Sequence, residues 1–210
     1  MAQTPSGILG AIDGSVGTVT GSRWKETTYI RLRNRKRRGT SSAKQIDVQL
    51  RFILVQRFLQ TMNSLLKLTF KKYAAEMTEF NAAFSYNFHN AITGRTPDYE
   101  IDFTKALVSR GELPNAIAPA ATAEGAVVYF RWEDNTGSNT AKATDNAVMV
   151  VYCKNLNQTI YTTNVGTRAD KAAQINAASF KGETVETWLA FLSEDGAEAS
   201  NSLFTGELSL

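Results

Sequence analysis

Histidine and cysteine, which carry most metal and nucleophile chemistry, occur once each in 210 residues, as His89 and Cys153. A single cysteine excludes an internal disulfide. The pair falls short of the three or four Cys and His ligands that a zinc site draws on. His89 sits in SYNFHNAI on an expected helix, and nothing nearby marks it as the base of a Ser–His–Asp arrangement. A structural or solvent-facing role is expected of it. Cys153 lies in the apolar run AVMVVYCKN and reads as a small core filler. No run of about 18 apolar residues is present, so no membrane-spanning helix is expected. The opening MAQTPSGILGAIDG has neither a basic n-region nor a continuous apolar h-region. No cleavable secretion signal is therefore expected, which implies cytoplasmic synthesis and leaves open incorporation into a virion or an extracellular assembly. GILGAIDG has glycines but no Lys-Ser/Thr ending, so it is not a phosphate-binding loop.

Paired carboxylates are equally uninformative. DNTGSN at 134–139 and SEDGAE at 193–198 cluster oxygens that suit calcium, yet neither has the spacing of an established loop. Asn, Asp and Gly are also the residues that hairpin turns require, and turns are the reading adopted. Glu133–Asp134 and Glu194–Asp195 are sequence neighbours, whereas a glycosidase needs carboxylates placed across a substrate. No catalytic residue, cofactor site or metal site is expected, and the chain reads as a protein that is not an enzyme.

What is present is uneven charge. Residues 1–45 hold nine Lys or Arg against two Asp or Glu, a net of +7, while residues 111–210 hold six against twelve, a net of −6. The basic end peaks in RLRNRKRRG, where Arg31, Arg33, Arg35, Lys36, Arg37 and Arg38 fall within nine residues. Three readings of this segment stand side by side. It neutralises nucleic-acid phosphates, with Trp24 and Tyr29 stacking on bases. It docks on the acidic surface of another copy or of a different structural protein. Or it is a solvated connector.

Periodicity divides the chain into three parts of an α+β protein. Residues 1–42 read as an extended, basic, Gly-rich arm. Gly7, Gly10, Gly14, Gly17 and Gly21 punctuate it, and VGTVT and TTYIRLR supply one or two strands. So short and Gly-rich a stretch lacks a core of its own. Residues 43–112 read as a helical segment. After Ser41 and Ser42, Val48, Phe52, Val55, Leu59, Met62 and Leu66 recur at three- and four-residue steps, and Ile53, Leu54, Phe58 and Leu65 widen the apolar face. A helix apolar on so much of its circumference is expected to be covered on more than one side. Phe80, Phe84 and Phe88 mark a second helix, giving a helical hairpin that ends near Gly94. From about residue 113 the period becomes two. AVVYFRWED, NAVMVVYC, QTIYTTN, AAQINAA, ETWLAFLSE and SLFTGELSL are strand-length pieces between turn clusters, as in an antiparallel β-sandwich, with Trp132 and Trp188 expected between the sheets.

ETWLAFLSEDGAEASNSLFTGELSL resembles the last two strands of a fibronectin type III or immunoglobulin-like module. The chain as a whole resembles a Bacteroidota family of proteins of about this length whose function is unknown. The resembling pieces are GILGAIDGSVGTVTGSRWK with YIR, FNAAFSYNFHNAITG, PDYEIDFTKALVSRGEL, ATDNAVMVVY and LAFLSEDG. That resemblance implies no activity and transfers no catalytic residue. The function expected is that of a structural subunit of a larger particle or filament, a phage virion for example, joined to its neighbours through the N-terminal arm. Contacts are expected at Trp24, Tyr29 and the six cations of residues 31–38. A nucleic-acid-binding protein is the alternative, and a secreted adhesin or carbohydrate-binding module is a third.

Overall fold

The structure, a computed structural model, describes residues 12–24, 27–33 and 40–210. The chain divides into two compact units, at residues 1–42 and 43–210. The described part of the first unit contains the expected strands. It is an antiparallel meander of three strands, β1 (Gly14–Val16), β2 (Val19–Trp24) and β3 (Thr27–Leu32), in that order across the sheet. Gly17 opens the two-residue turn from β1 to β2 at φ +55°, where a β-branched residue would be strained. A Cβ on Gly21 would lie 1.8 Å from the Ile12 carbonyl oxygen, so the chain passes over β2 only because that position has no side chain.

The second unit begins with α1 (Ala43–Gln60), α2 (Asn63–Thr69), a 3-10 turn at Lys71–Tyr73 and α3 (Glu79–Asn90). The helix expected to run unbroken past residue 60 stops at Thr61, whose hydroxyl donates to the Phe58 carbonyl at 2.8 Å and meets Thr159 Oγ1 at 2.6 Å. Thr78 caps α3 by accepting from the Asn81 N–H. A hairpin unforeseen in the sequence follows, β4 (Ile92–Arg95) with β5 (Asp98–Ile101).

The remaining strands form two antiparallel sheets. One has the order β10 (Ala172–Asn176), β7 (Val127–Glu133), β6 (Ile117–Glu124); the other has β12 (Leu203–Ser209), β11 (Thr184–Leu192), β8 (Asn146–Cys153), β9 (Gln158–Thr162). Strand alternation decides which side chains lie between them. Val128, Phe130 and Trp132 of β7 meet Ala147, Met149, Val151 and Cys153 of β8 and Leu189 and Phe191 of β11 in one buried core. Trp132 stands edge-on to Phe191 at 5.7 Å.

The opposite face of the four-stranded sheet is buried too. Val148, Val150, Tyr152, Trp188, Ala190 and Leu192 face it and join Val55, Phe58, Leu59, Met62, Leu65 and Leu66 of the helices. Trp188 therefore packs against the helices rather than between the sheets. It is the even-numbered neighbour of Leu189 and Phe191, which take the inner face. It contacts Phe58, Phe103 and Phe204 at centroid distances of 6.0, 5.8 and 5.5 Å. The connector between β5 and β6 is also tied down by polar groups. Buried Asn87 on α3 donates to the Leu107 carbonyl and accepts from the Leu107 N–H. Ser109 donates through its hydroxyl to the Ser200 carbonyl at 2.6 Å.

Candidate interaction surfaces

The β2–β3 register pairs Val19 with Leu32, Gly21 with Ile30, Ser22 with Tyr29 and Thr20 with Arg31. The β1–β2 register pairs Val16 with Val19 and Ser15 with Thr20. Directly paired residues in an antiparallel sheet share a face. The N-terminal sheet thus has one apolar face carrying Val16, Val19, Ile30 and Leu32, with Arg23 and Thr28 at its end, and a polar face of Ser15, Thr20, Ser22, Tyr29 and Arg31. Alternation adds Arg33 to the polar face. Ile12 passes over Gly21 on the apolar face, but among the described residues the apolar side chains of that face stay open: Val16 is 51%, Ile30 63% and Leu32 74% exposed. Every residue of β3 is exposed. Of the expected contact residues, the structure brings Tyr29, Arg31 and Arg33 to one face and places the Trp24 backbone opposite Thr27. Arg35, Lys36, Arg37 and Arg38 lie outside the described residues.

A second uncovered surface is the front of α1. Val55, Phe58 and Leu59 are buried, but Ile46, Val48, Phe52 and Ile53 are each nearly half exposed. The helix packs against α3 and β5 as well as the four-stranded sheet, and only this strip of it stays open among the described residues. This half of the helix is nonetheless anchored. Asp47 accepts from Thr96 Oγ1, from the Tyr99 hydroxyl and from Arg51. The Thr96 and Tyr99 hydrogen bonds hold the Asp47 carboxyl below its ordinary value.

The third surface went unseen in the sequence. Antiparallel alternation sends the β7–β8 loop (134–145), the β9–β10 loop (163–171) and the β11–β12 loop (193–202) to one end of the paired sheets. Buried Arg168 knots this end together. Its Nε donates to Asp145 Oδ2 at 3.1 Å, Nη1 to Asn135 Oδ1 at 2.5 Å and Nη2 to the Pro114 carbonyl at 3.0 Å, while its guanidinium lies 3.9 Å from the Phe191 ring centroid. Above this knot is a cavity of about 610 Å³ lined by Lys142, Asp145, Ser193, Glu194, Asp195 and Glu198. The Ser193 hydroxyl, followed by the Ala197 N–H, donates to Asp195 and holds its carboxyl below the ordinary value. Both acidic clusters considered for calcium spend carboxylate oxygens inside their own turns, since Asp134 likewise accepts from the Thr136 N–H and hydroxyl. Among the described residues, no group of three or more His, Cys, Asp or Glu is arranged to hold a metal. His89 is exposed near the end of α3, edge-on to Phe88. Cys153 is buried between the sheets. No helix among the described residues is long and apolar enough to cross a membrane.

Comparison with known families matches the chain over residues 11–206. It belongs to a family of unknown function (DUF6266). No curated protein matches the chain. The matched span takes in both the N-terminal sheet and the paired sheets, so the two units belong to one family unit rather than a domain and an unrelated extension.

Proposed function

We propose that this protein is a non-enzymatic structural subunit that assembles with copies of itself, or with another structural protein, through its N-terminal sheet. The particle or filament it builds is of the kind found in virions and fibres. The apolar face of β1–β3 carries the reading. A three-stranded sheet with one apolar face is stable when something covers that face, and Val16, Ile30 and Leu32 are open. The exposed front of α1 adds a second apolar area in want of a cover. The body suits a scaffold: three strands face four in antiparallel order, which supports a fibronectin type III or immunoglobulin-like module. Replacing Ile30→Asp and Leu32→Asp in the full chain tests the reading. Light scattering is expected to show the assembly reduced to protomers, and an unchanged mass would remove the proposal.

The other face of the same sheet supports a second reading. Tyr29, Arg31 and Arg33 stand together and exposed there. Cations beside an aromatic ring suit a sugar-phosphate backbone with stacked bases. The two readings use opposite faces, so one subunit can serve both. Arg31→Gln with Arg33→Gln is expected to weaken retention on single-stranded DNA and flatten its salt dependence. Equal retention would exclude nucleic acid at this face.

A further inference from the structure

We propose that the acidic cavity between the β7–β8 and β11–β12 loops seats a cationic side chain from the basic segment 31–38 of a second copy of the chain. The proposal rests on the assembly reading above and names the surface on which the N-terminal unit of a neighbour lands.

Charge selects the occupant. Glu194, Asp195 and Glu198 line the cavity with Lys142, and Lys72 Nζ reaches Glu198 Oε1 at 4.0 Å, so the acidic groups still outnumber the cations. Asp145 is matched by Arg168 and adds no net charge. The cavity is therefore a negative pocket within residues 111–210, whose net charge is −6, and the densest cation run lies within residues 1–45, whose net charge is +7. Opposite charges on the two parts of one chain steer copies head to tail.

A buried atom points the same way. Asp145 is fully buried; its Oδ2 accepts from the Lys142 N–H at 2.9 Å and from Arg168 Nε at 3.1 Å, and its Oδ1 is buried without a hydrogen-bond partner. Buried carboxylate oxygens are rarely left without a donor. An ammonium or guanidinium entering a cavity of which Asp145 forms part of the wall supplies one. A volume of about 610 Å³ accommodates an arginine or lysine head with part of its stem. The walls are preorganised. The Ser193 N–H donates to the Glu198 carbonyl at 2.8 Å, the Glu198 N–H donates to Ser193 Oγ at 2.9 Å, and the Phe191 N–H donates to Ser200 Oγ at 2.8 Å. Each copy has one donor segment and one receiving cavity. The contact is heterologous and repeats from copy to copy into a ring or filament.

The test uses the full chain with its own segment neutralised at Arg35→Gln, Lys36→Gln, Arg37→Gln and Arg38→Gln, which leaves the cavity vacant. A fluorescent peptide of sequence RLRNRKRRG is titrated into it. Saturable binding that weakens with salt is expected. Adding Glu194→Gln and Glu198→Gln is expected to lower affinity about tenfold without moving the melting temperature. Equal affinity with and without those carboxylates would overturn the proposal, as would equal binding of a peptide with all six cations replaced by Gln. A wild-type chain that stays a protomer while its own segment blocks the peptide would overturn the second-copy assignment. The two readings fail separately. If Ile30→Asp/Leu32→Asp leaves the mass unchanged, assembly through the sheet fails whatever the peptide does. If that variant is protomeric but Glu194→Gln/Glu198→Gln affects neither peptide affinity nor mass, the seat is wrong and the assembly reading stands.

Discussion

The N-terminal sheet and the body solve the same problem in opposite ways. In the body, the four-stranded sheet buries both faces: Met149, Val151 and Phe191 lie against the facing sheet, and Val150, Trp188 and Ala190 against the helices. In the N-terminal unit, Ile30 and Leu32 alternate just as regularly with Tyr29 and Arg31, and neither face of β3 is covered. Alternation fixes which side chains share a face; only packing decides whether that face is satisfied. On the proposed reading, a regular amphipathic pattern with an open apolar side describes half of a contact.

If this contrast is correct, variants in the two regions have different consequences. The largest loss of stability is expected in the body. Trp188→Ala removes a ring packed among Phe58, Phe103 and Phe204 and is expected to cost about 3–5 kcal/mol in denaturant unfolding. Arg168→Ala leaves Asp145 as a buried charge without its partner and is expected to cost about as much, roughly 3–5 kcal/mol. A loss below about 1 kcal/mol at either site would mean that the body is held by something other than its described core. Ile30→Asp with Leu32→Asp is expected to change protomer stability by less than about 0.5 kcal/mol while abolishing assembly. A melting transition lowered as far as that of Trp188→Ala would show that the sheet is part of a core after all.

A pH dependence is expected in the body as well. Glu186 on β11 is directly opposite Glu207 on β12. Burial first, and the neighbouring Glu207 second, push its carboxyl up from 4.5 to about 7. A raised carboxyl holds its proton more tightly when folded, so its favourable contribution is complete below about 4.5 and is lost as pH rises through about 7. Glu186→Gln is expected to flatten the fall in melting temperature across that window and to raise the value at pH 8 by about 3 °C. A fall of the same size in the variant would assign the pH dependence to other groups.

How far the sequence reveals this molecule depends on the length scale of the signal. Strand β7 was legible because its large apolar side chains alternate, and β8 and β11 because each is a largely apolar run of strand length between turn clusters, both of them local patterns. β6 was not, because IAPAATAE offers small side chains and Pro119 in place of that alternation. The β4–β5 hairpin was hidden because its eight paired residues follow directly on α3 and include few large apolar side chains. The facing of Trp188 was misread because the expectation of a tryptophan between sheets ignored that Leu189 and Phe191 claim the inner side. The acidic cavity was invisible for a different reason. Asp145 and Glu194 are 49 positions apart, and only the strand order brings their loops to one end of the sheets. The cluster of cations was plain in the sequence, and nothing in its own residues names a partner.

The central claim is that the apolar face of β1–β3 is completed by another molecule. Hydrogen exchange of the backbone at residues 12–24 and 27–33, followed as the full chain is diluted from assembly to protomer, tests it most directly. The account predicts protection in the assembly that falls away on dilution, while β8 and β11 stay protected throughout. Equal, strong protection of β1–β3 in the dilute protomer would contradict it.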